Sequence, residues 1–271
     1  MLNLEKKIKK NFQGIYKACG NKFWFTCGSY LIDGQKYKYD KRMLGKQILL
    51  YNLAKENSRI LEVGVYMGHS MLIMLASNPK LKITGLDIDK RFAPKAVNYL
   101  KKKFTNSKIE LVLGDSIENL KKFKSDFDLY HIDGDHRPIK IYKEIYACIK
   151  LHKKKKIKIL FDDVDMMASV EKILFTSFKI QKFNKPKSRH RNLYVEMILT
   201  KKSIKKFKNS FLLFSLNYFL FALVPFYIKR LILLTLKVIL GKKNCNRLID
   251  FLQSKLKSKI YFFSRKKLKN I

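Results

Sequence analysis

Carboxylates and a histidine crowd together at two places in the sequence. The run Asp133-Gly-Asp-His136 ends one predicted strand, 127–132, and Asp162-Asp163 end the next. Burial and like charge at such a place perturb pKa values, which favours a functional cluster over a purely structural one. Oxygen ligands that converge from two neighbouring strands are what Mg²⁺ or Mn²⁺ prefers. His136 ordinarily titrates near neutrality and is a candidate proton acceptor.

A glycine-containing turn lies upstream of these acids. The apolar run Ile60–Val63 stops at Gly64, a second glycine follows at Gly68, and a helical apolar run begins at Met71. This pattern predicts a buried parallel strand that turns through glycines into a helix. Such a turn lets the backbone approach a ligand, and the helix N-terminus offers N–H groups to an anion. The spacing is not G-x-G-x-x-G, which disfavours a dinucleotide site. An ordinary, closely packed strand–helix turn is the alternative.

The turn resembles the first motif of class I S-adenosylmethionine-dependent methyltransferases. More narrowly, it resembles the E-x-G-x-Y-x-G-x-S form of catechol-type O-methyltransferases, with Glu62, Gly64, Tyr66, Gly68 and Ser70 as the matching residues. The resemblance implies that the turn holds the methionine part of S-adenosylmethionine and that Ser70 meets its carboxylate. The D-G-D-H run resembles a bacterial branch of this superfamily, often found beside saccharide or natural-product pathways.

Two further predicted strand ends supply the other cofactor-binding candidates. Asp87 lies about twenty residues beyond the glycine turn, where a carboxylate can bind a ribose diol. Ile88 would pack on the adenine. The methyltransferase resemblance places Asp115 and Ser116 near the adenine amino edge, and either residue can equally cap the helix that follows.

The acid cluster resembles that of metal-dependent O-methyltransferases. This implies Asp133, Asp162 and Asp163 as ligands of Mg²⁺ or Mn²⁺, although Asp163 stands where an asparagine is usual and His136 where a lysine is the usual base. A bound ion would lower the pKa of an acceptor hydroxyl, and His136 would take the proton. In the metal-free alternative His136 is the sole base, oriented by Asp133 or Asp135. We predict His136 and Asp133 as the catalytic residues.

The elements that position these residues alternate along the chain. A helix over 41–56 has Met43, Leu44, Ile48, Leu49 and Leu53 at helical spacing. Strands are predicted at 59–63, 82–87, 109–113, 127–132 and 157–161, with a closing pair at 179–183 and 193–200. This order predicts an α/β fold with a doubly wound, mostly parallel, seven-stranded sheet, whose ligands lie at the carboxyl ends of the strands.

Three regions are predicted. Residues 1–40 form an N-terminal cap or lid, 41–203 the methyltransferase domain, and 204–271 a basic, apolar helical tail. The cap carries the aromatic cluster Phe23-Trp24-Phe25, which we expect to pack in the core rather than line a ligand site.

Composition indicates an intracellular chain with anionic partners. The sequence has 59 basic and 21 acidic residues, a net charge of +38. Such a surface attracts nucleic acid or an anionic membrane, unless the excess reflects lineage composition. The four cysteines lack metal or disulfide spacing, which fits a reducing compartment. The N-terminus lacks the apolar segment of a secretory signal.

The tail favours attachment to a membrane. Residues 211–228 are almost wholly apolar, 231–240 continue the pattern, and Asp250 is the sole acid beyond residue 200. A single span would place the basic end outside, against the positive-inside tendency. We therefore expect the tail to lie on or dip into the cytoplasmic face of the cell membrane. A buried helical hairpin or a homodimer interface is the alternative.

The sequence thus predicts a methyltransferase that modifies a hydroxyl on a saccharide, lipid-linked or small-molecule acceptor. An RNA methyltransferase is a second hypothesis, favoured by the charge but not by the tail. A non-enzymatic membrane-associated scaffold with a degenerate cofactor pocket is a third, which the intact glycines and strand-end acids disfavour.

Overall fold

The chain forms a single seven-stranded sheet covered by helices on both faces. The computed structural model describes residues 2–164, 168–186 and 191–218, with residues 228, 231, 234, 235, 238 and 241 of the tail. The strands are β1 (Arg59–Val63), β2 (Lys82–Asp87), β3 (Lys108–Leu113), β4 (Leu129–Ile132), β5 (Lys156–Phe161), β6 (Lys179–Asn184) and β7 (Leu193–Ile198).

The strand order is β3-β2-β1-β4-β5-β7-β6. The first five strands in this order are parallel, and β7 runs antiparallel to both β5 and β6. The predicted fold class is therefore confirmed, including the closing antiparallel pair. The chain order reverses between β1 and β4, and the crevice at such a reversal is where α/β sheets bind ligands.

Eight helices cover the sheet within the described ranges. They are α1 (Leu2–Ala18), α2 (Leu44–Lys55, after a 3₁₀ turn at Lys41–Met43), α3 (His69–Ser77), α4 (Ala93–Lys103), α5 (Ser116–Leu120), α6 (Pro138–Leu151), α7 (Ala168–Ser177) and α8 (Lys201–Tyr218). One apolar core contains side chains of α1 to α4, and a second contains side chains of α5 to α8.

The central strands are buried on both faces, which explains their nearly continuous apolar sequences. In β1, Ile60 lies in the first core, whereas Leu61 and Val63 lie in the second. The parallel register aligns Val63 with Leu86 of β2 and with Ile132 of β4. The loops that leave β1, β2 and β4 therefore start at the same level of the sheet, so that the polar residues after each strand lie close together.

The predicted cap begins with α1, which packs on α3 and α4. The segment after α1 reaches the sheet, because Tyr30 contacts His131 of β4, and Leu31 and Ile32 are buried beside it in sequence. The aromatic cluster follows the prediction at Phe23, which packs against the first core, but not at the next two residues. Trp24 is 44% and Phe25 65% exposed, so these two rings are not core residues.

The tail is described in part. Residues 1–211 and 212–271 are two compact units. The predicted continuous apolar segment and the basic helix beyond residue 241 fall mostly outside the described residues. No helix in the part of the chain that is described is long and apolar enough to cross a membrane. Four apolar tail residues are helical and exposed: Ile228, Leu231, Leu234 and Val238.

Candidate active site

A cavity of about 970 Å³ opens at the carboxyl ends of the parallel strands. This volume lies at the upper end of the roughly 300–1,000 Å³ typical of small-molecule sites. Most of the predicted site residues line it: Gly64, Tyr66, Ser70, Asp87, Ile88, Asp115, Ser116, Asp133, His136, Asp162 and Asp163. The expectation that residues distant in sequence meet at one edge of the sheet is confirmed for this set.

The glycine turn passes directly over the end of β4. Gly64 has φ +87°, and a Cβ added there would lie 2.1 Å from the carbonyl oxygen of Asp133. Only glycine allows both this conformation and this approach. Gly68 has φ +65° and stands immediately before α3. The two glycines therefore give the turn its shape and bring it against the acid cluster.

Asp87 ties the end of β2 to the glycine turn. Its Oδ2 accepts hydrogen bonds from the backbone amides of Val65 (2.8 Å) and Tyr66 (2.6 Å), and its Oδ1 accepts one from the amide of Asp89 (2.7 Å). A carboxylate has about four acceptor positions. Asp87 thus holds the turn and retains capacity for the ribose contact predicted from the sequence, which stays a prediction.

The other cofactor candidates lie on the β3 side of the cavity. Asp115 caps α5 by accepting from the amides of Ile117 and Glu118, and its second oxygen lies 2.5 Å from Lys140 Nζ. The lysine lowers the pKa of Asp115. Capping, one of the two roles open for this residue, is what the structure shows.

Ser116 donates to a buried glutamate that the sequence analysis did not single out. Its Oγ lies 2.5 Å from Glu144 Oε1, while Glu144 Oε2 has no partner among the described residues. Burial raises the pKa of Glu144 to about 7. The signal in the sequence was weak, because a lone glutamate in the amphipathic helix α6 resembles a surface residue.

The side of the cavity beside the glycine turn is lined by the rings of Trp24 and Tyr66, which we call the aromatic wall. The amide of Trp24 donates to Tyr66 Oη (2.7 Å), and the Arg91 guanidinium lies 4.0 Å from the Trp24 ring centroid. Ile88 is 75% exposed on the same side. Trp24 is therefore a site residue that the sequence analysis had assigned to the core.

Two predicted cofactor residues do not line the cavity. Gly68 shapes the turn, and Glu62 is fully buried with its Oε1 2.9 Å from His131 Nδ1. His131 Nε2 in turn lies 2.8 Å from Tyr30 Oη, which also accepts from Asn192 Nδ2 (2.6 Å). Glu62 thus belongs to a buried polar chain that anchors the cap to β1 and β4. Its predicted contact with the cofactor stays a prediction.

A lysine ammonium lies among the predicted metal ligands. Lys46 Nζ donates to both carboxylate oxygens of Asp162, at 2.8 and 3.1 Å. Burial lowers the pKa of Lys46, but the charges of Asp162 and Asp133 outweigh it and the net shift is upward. Burial, with the neighbouring Asp162 charge, raises the pKa of Asp133 well above its usual range.

His136 faces Asp163 rather than the aspartates expected to orient it. Its Nε2 lies 3.5 Å from Asp163 Oδ2, and both side chains are about 30% exposed. Asp135 instead pairs with Arg137, which lowers the pKa of Asp135. Asp163 has φ +49°, a conformation that Asp and Asn tolerate better than most residues. Asp163, and not Asp133 or Asp135, is therefore the candidate for orienting the His136 ring.

The three aspartates do not have the arrangement of a metal site. No group of three or more His, Cys, Asp or Glu side chains in the described ranges could hold a metal ion. Lys46 donates to both oxygens of Asp162, so a divalent ion bound to this residue would stand beside a buried ammonium. The residues present therefore do not fit a divalent ion in this arrangement, and the predicted metal stays a prediction.

The cap supplies a second buried histidine. His69, the first residue of α3, lies 2.7 Å from Ser29 Oγ through Nδ1 and 2.9 Å from Tyr37 Oη through Nε2. Burial lowers its pKa to about 3, so the ring is neutral at physiological pH. Both ring nitrogens have protein partners, which favours a structural role for His69 in joining the cap to the glycine turn.

Comparison with known proteins places these features in a family. A family model described as O-methyltransferase matches residues 43–201. No curated protein sequence matches the chain significantly.

Several solved structures have a similar fold. The O-methyltransferase TomG from Streptomyces achromogenes, determined with S-adenosylmethionine, is 14% identical, with a TM-score of 0.51 over 70% of this chain and 89% of that one. A Bacillus cereus O-methyltransferase in complex with S-adenosylhomocysteine is 13% identical, with a TM-score of 0.52 over 70% and 91%. The S-adenosylhomocysteine-bound methyltransferase PaMTH1 of Podospora anserina is 16% identical, with a TM-score of 0.52 over 68% and 86%. At these identities the likeness shows the fold.

Proposed function

The chain belongs to the O-methyltransferase family of S-adenosylmethionine-dependent enzymes, and from that premise we propose that it methylates a hydroxyl on a saccharide, lipid-linked or small-molecule acceptor. The observation that carries this proposal is the shared cavity. Gly64, Asp87, Asp133 and His136 come from the carboxyl ends of three strands, β1, β2 and β4, and line one space at the topological switch point.

We propose that the cofactor lies along the ends of β1, β2 and β3. The turn Gly64–Ser70 would hold the methionine part, with Ser70 near its carboxylate at the start of α3. Asp87 would bind the ribose, and Ile88, Asp115 and Ser116 would surround the adenine. The exposure of Ile88 and its position in the cavity wall support this assignment.

His136 is the proposed base. S-adenosylmethionine supplies an electrophilic methyl group on a sulfonium. The acceptor oxygen would form a bond to that carbon as the carbon–sulfur bond breaks, and His136 would take the hydroxyl proton. Asp163, 3.5 Å from Nε2, would stabilise the resulting imidazolium. The remaining task of the cavity is to align the acceptor with the methyl group.

A metal-assisted reaction remains a prediction from sequence. Lys46 donates to both oxygens of Asp162, one of the three ligands that such a reaction would need. Asp133 lies on the same strand end as His136 and lines the cavity. It is a candidate for contact with the acceptor hydroxyl.

A methyl-transfer screen tests the proposed activity. Full-length protein is incubated with S-adenosylmethionine labelled in its methyl group and with lipid and saccharide extracts, with EDTA or Mg²⁺. We expect label in an acceptor fraction as a base-stable methyl ether, lost in His136→Ala. Label found exclusively in RNA would contradict the proposed acceptor class and support the second hypothesis.

The tail is proposed to attach the enzyme to an anionic membrane surface. The exposed residues Ile228, Leu231, Leu234 and Val238 recur at intervals of three or four, so they lie on one helical face. The tail sequence is strongly basic. An exposed apolar face within a basic segment is the pattern of interfacial helices. A homodimer interface is the competing hypothesis.

Vesicle sedimentation tests this attachment with the full chain. We expect binding to vesicles of phosphatidylglycerol and phosphatidylethanolamine, and weaker binding to phosphatidylcholine vesicles. The double variant Leu231→Glu/Val238→Glu should lose binding while retaining the activity of the first unit. A full chain that stays soluble and does not bind anionic vesicles would rule out the membrane, and a concentration-dependent dimer would favour the competing hypothesis.

A further inference from the structure

The acids expected to hold a divalent ion already surround a protein cation. Lys46 Nζ contacts both oxygens of Asp162, and the two side chains are 2% and 3% exposed. The charges of Asp133 and Asp163 also act on the Lys46 ammonium, while Asp162 contacts it directly.

The position of Lys46 is fixed by its surroundings. It lies on the buried face of α2, beside Gln47, whose Nε2 donates to the carbonyl of Tyr30 (2.8 Å). The ammonium stands 4.4 Å from the Tyr30 ring centroid, within cation–π range. Tyr30 itself is held by hydrogen bonds to His131 and Asn192. Lys46 is therefore a buried side chain that its neighbours hold in place, and it differs in this from a surface lysine.

A divalent ion and Lys46 would compete for the same oxygens. Mg²⁺ binds carboxylate oxygens at about 2.0–2.1 Å. The Asp162 oxygens lie 2.8 and 3.1 Å from Nζ. An ion bound to Asp162 would therefore stand close to a fixed positive charge, which weakens its binding.

We propose that Lys46 supplies at this strand end the positive charge that the family resemblance assigns to a metal ion, so that methyl transfer by this chain needs no divalent metal. The proposal rests on the function proposed above. Lys46 acts as a positioning residue. It fixes Asp162 and supplies the positive charge that balances this carboxylate at the cavity wall.

A Mn²⁺ titration of the full-length protein without cofactor is the test, by calorimetry and electron paramagnetic resonance. For the wild-type chain we expect no Asp162-dependent site tighter than about 1 mM. Lys46→Met removes the ammonium from the Asp162 carboxylate, so Mn²⁺ binding that depends on Asp162 should become at least about tenfold tighter than in wild type. Lys46→Arg keeps a cation and should show no gain.

Lys140→Met is the matched control, because Lys140 lines the same cavity and also pairs with an aspartate, Asp115. It should leave Mn²⁺ binding unchanged. A gain as large as that of Lys46→Met would show that any charge removed from the cavity has the effect, and would contradict the proposal.

Two results would overturn the inference. One is a wild-type Mn²⁺ site of micromolar affinity that Asp162→Asn abolishes. The comparison of these two chains tests the proposal even if Lys46→Met does not fold. The other is a folded Lys46→Met chain that gains no Mn²⁺ affinity. Failure to bind S-adenosylmethionine would instead count against the proposed function. The Mn²⁺ titration is done without cofactor, so its result can still be interpreted in that case.

Discussion

The cavity and the rest of the chain differ in charge. Nine carboxyl side chains line the cavity, against five from Lys and Arg. The whole sequence has 59 basic and 21 acidic residues. The site is thus the acidic part of a strongly basic protein, and the net charge of a sequence does not reveal the charge of its binding site.

This difference separates the two classes of ligand considered from the sequence. A carboxylate-rich cavity favours a cationic ligand such as a sulfonium, and it disfavours a polyanionic backbone. The basic exterior suits an anionic surface outside the cavity. The charge of the cavity therefore weighs against an RNA substrate entering the site.

Replacing Gly64 should have the largest effect on the cavity. Gly64→Ala places a Cβ 2.1 Å from the Asp133 carbonyl at φ +87°. We expect a loss of at least about 3 kcal/mol in the free energy of unfolding, measured with urea, and loss of cofactor binding. Gly20→Ala is the control, because Gly20 also has a positive φ (+74°) but open space around it. It should cost about 1 kcal/mol. Equal losses would show that the approach of the turn to β4 is unimportant.

Stability should depend on pH through a cavity acid and not through a surface acid. Burial raises the pKa of Glu144 to about 7 in the folded chain, above its ordinary 4.5. The folded state therefore binds this proton more tightly, and the stability that it contributes below pH 4.5 is lost as the pH rises through 7.

The glutamine side chain of Glu144→Gln does not titrate. Between pH 5 and 7.5, the free energy of unfolding of the wild-type chain should therefore fall by about 2 kcal/mol relative to that of this variant. Urea unfolding at both pH values measures the change. Glu118→Gln, at an exposed position, retains Glu144 and should lose the same stability as wild type between these pH values. Parallel pH curves for wild type and Glu144→Gln would refute the assigned pKa.

Two aspartates with the same backbone contacts separate binding from stability. Asp87 accepts from two amides at the carboxyl end of β1, and Asp128 accepts from the amides of Ser58 and Arg59 at its amino end. We expect Asp87→Asn to weaken S-adenosylmethionine binding about tenfold to a hundredfold, measured by calorimetry. Both variants should lower the free energy of unfolding by a similar amount. Asp128→Asn, however, should leave the cofactor affinity unchanged. A comparable loss of affinity in both variants would mean that Asp87 acts through stability alone.

The smallest predicted effect concerns the aromatic wall. Trp24 lines the cavity and its neighbour Phe25 does not, although both rings are exposed. Trp24→Ala should reduce cofactor affinity by about 1 kcal/mol, and Phe25→Ala should not change it. Calorimetric titration measures both. A larger loss of cofactor affinity in Phe25→Ala than in Trp24→Ala would mean that the cofactor does not contact the aromatic wall.

Much of the fold follows from local patterns in the sequence. The apolar strands and the glycines of the first turn predict a parallel sheet, and the acids after each strand predict where its ligands bind. These features are readable because each depends on a few consecutive residues. The strand register, which aligns Val63 with Ile132, then brings Gly64 beside Asp133.

The missed residues depend on long-range contacts. Lys46 and Gln47 interrupt the buried stripe that contains Met43, Leu50 and Leu53. Counting apolar residues at helical spacing passes over such an interruption, although two polar residues on a buried face are themselves a signal.

The partner of His136 was also missed for a physical reason. Asp135 is adjacent in sequence, but Arg137 binds it, which leaves Asp163 from the next strand to face the imidazole. Adjacency in sequence did not predict which carboxylate would be available. The exposed Trp24 is a similar case, since its position depends on the contact of the cap with Tyr66.

Titration calorimetry of the full-length protein with S-adenosylmethionine, in buffer containing EDTA, tests the central claim most directly. We expect one binding site per chain, with affinity about tenfold to a hundredfold weaker in Asp87→Asn and unchanged in Asp128→Asn. No measurable binding by the wild-type chain, or equal affinity in Asp87→Asn and wild type, would contradict the assignment of the acidic cavity as the cofactor site.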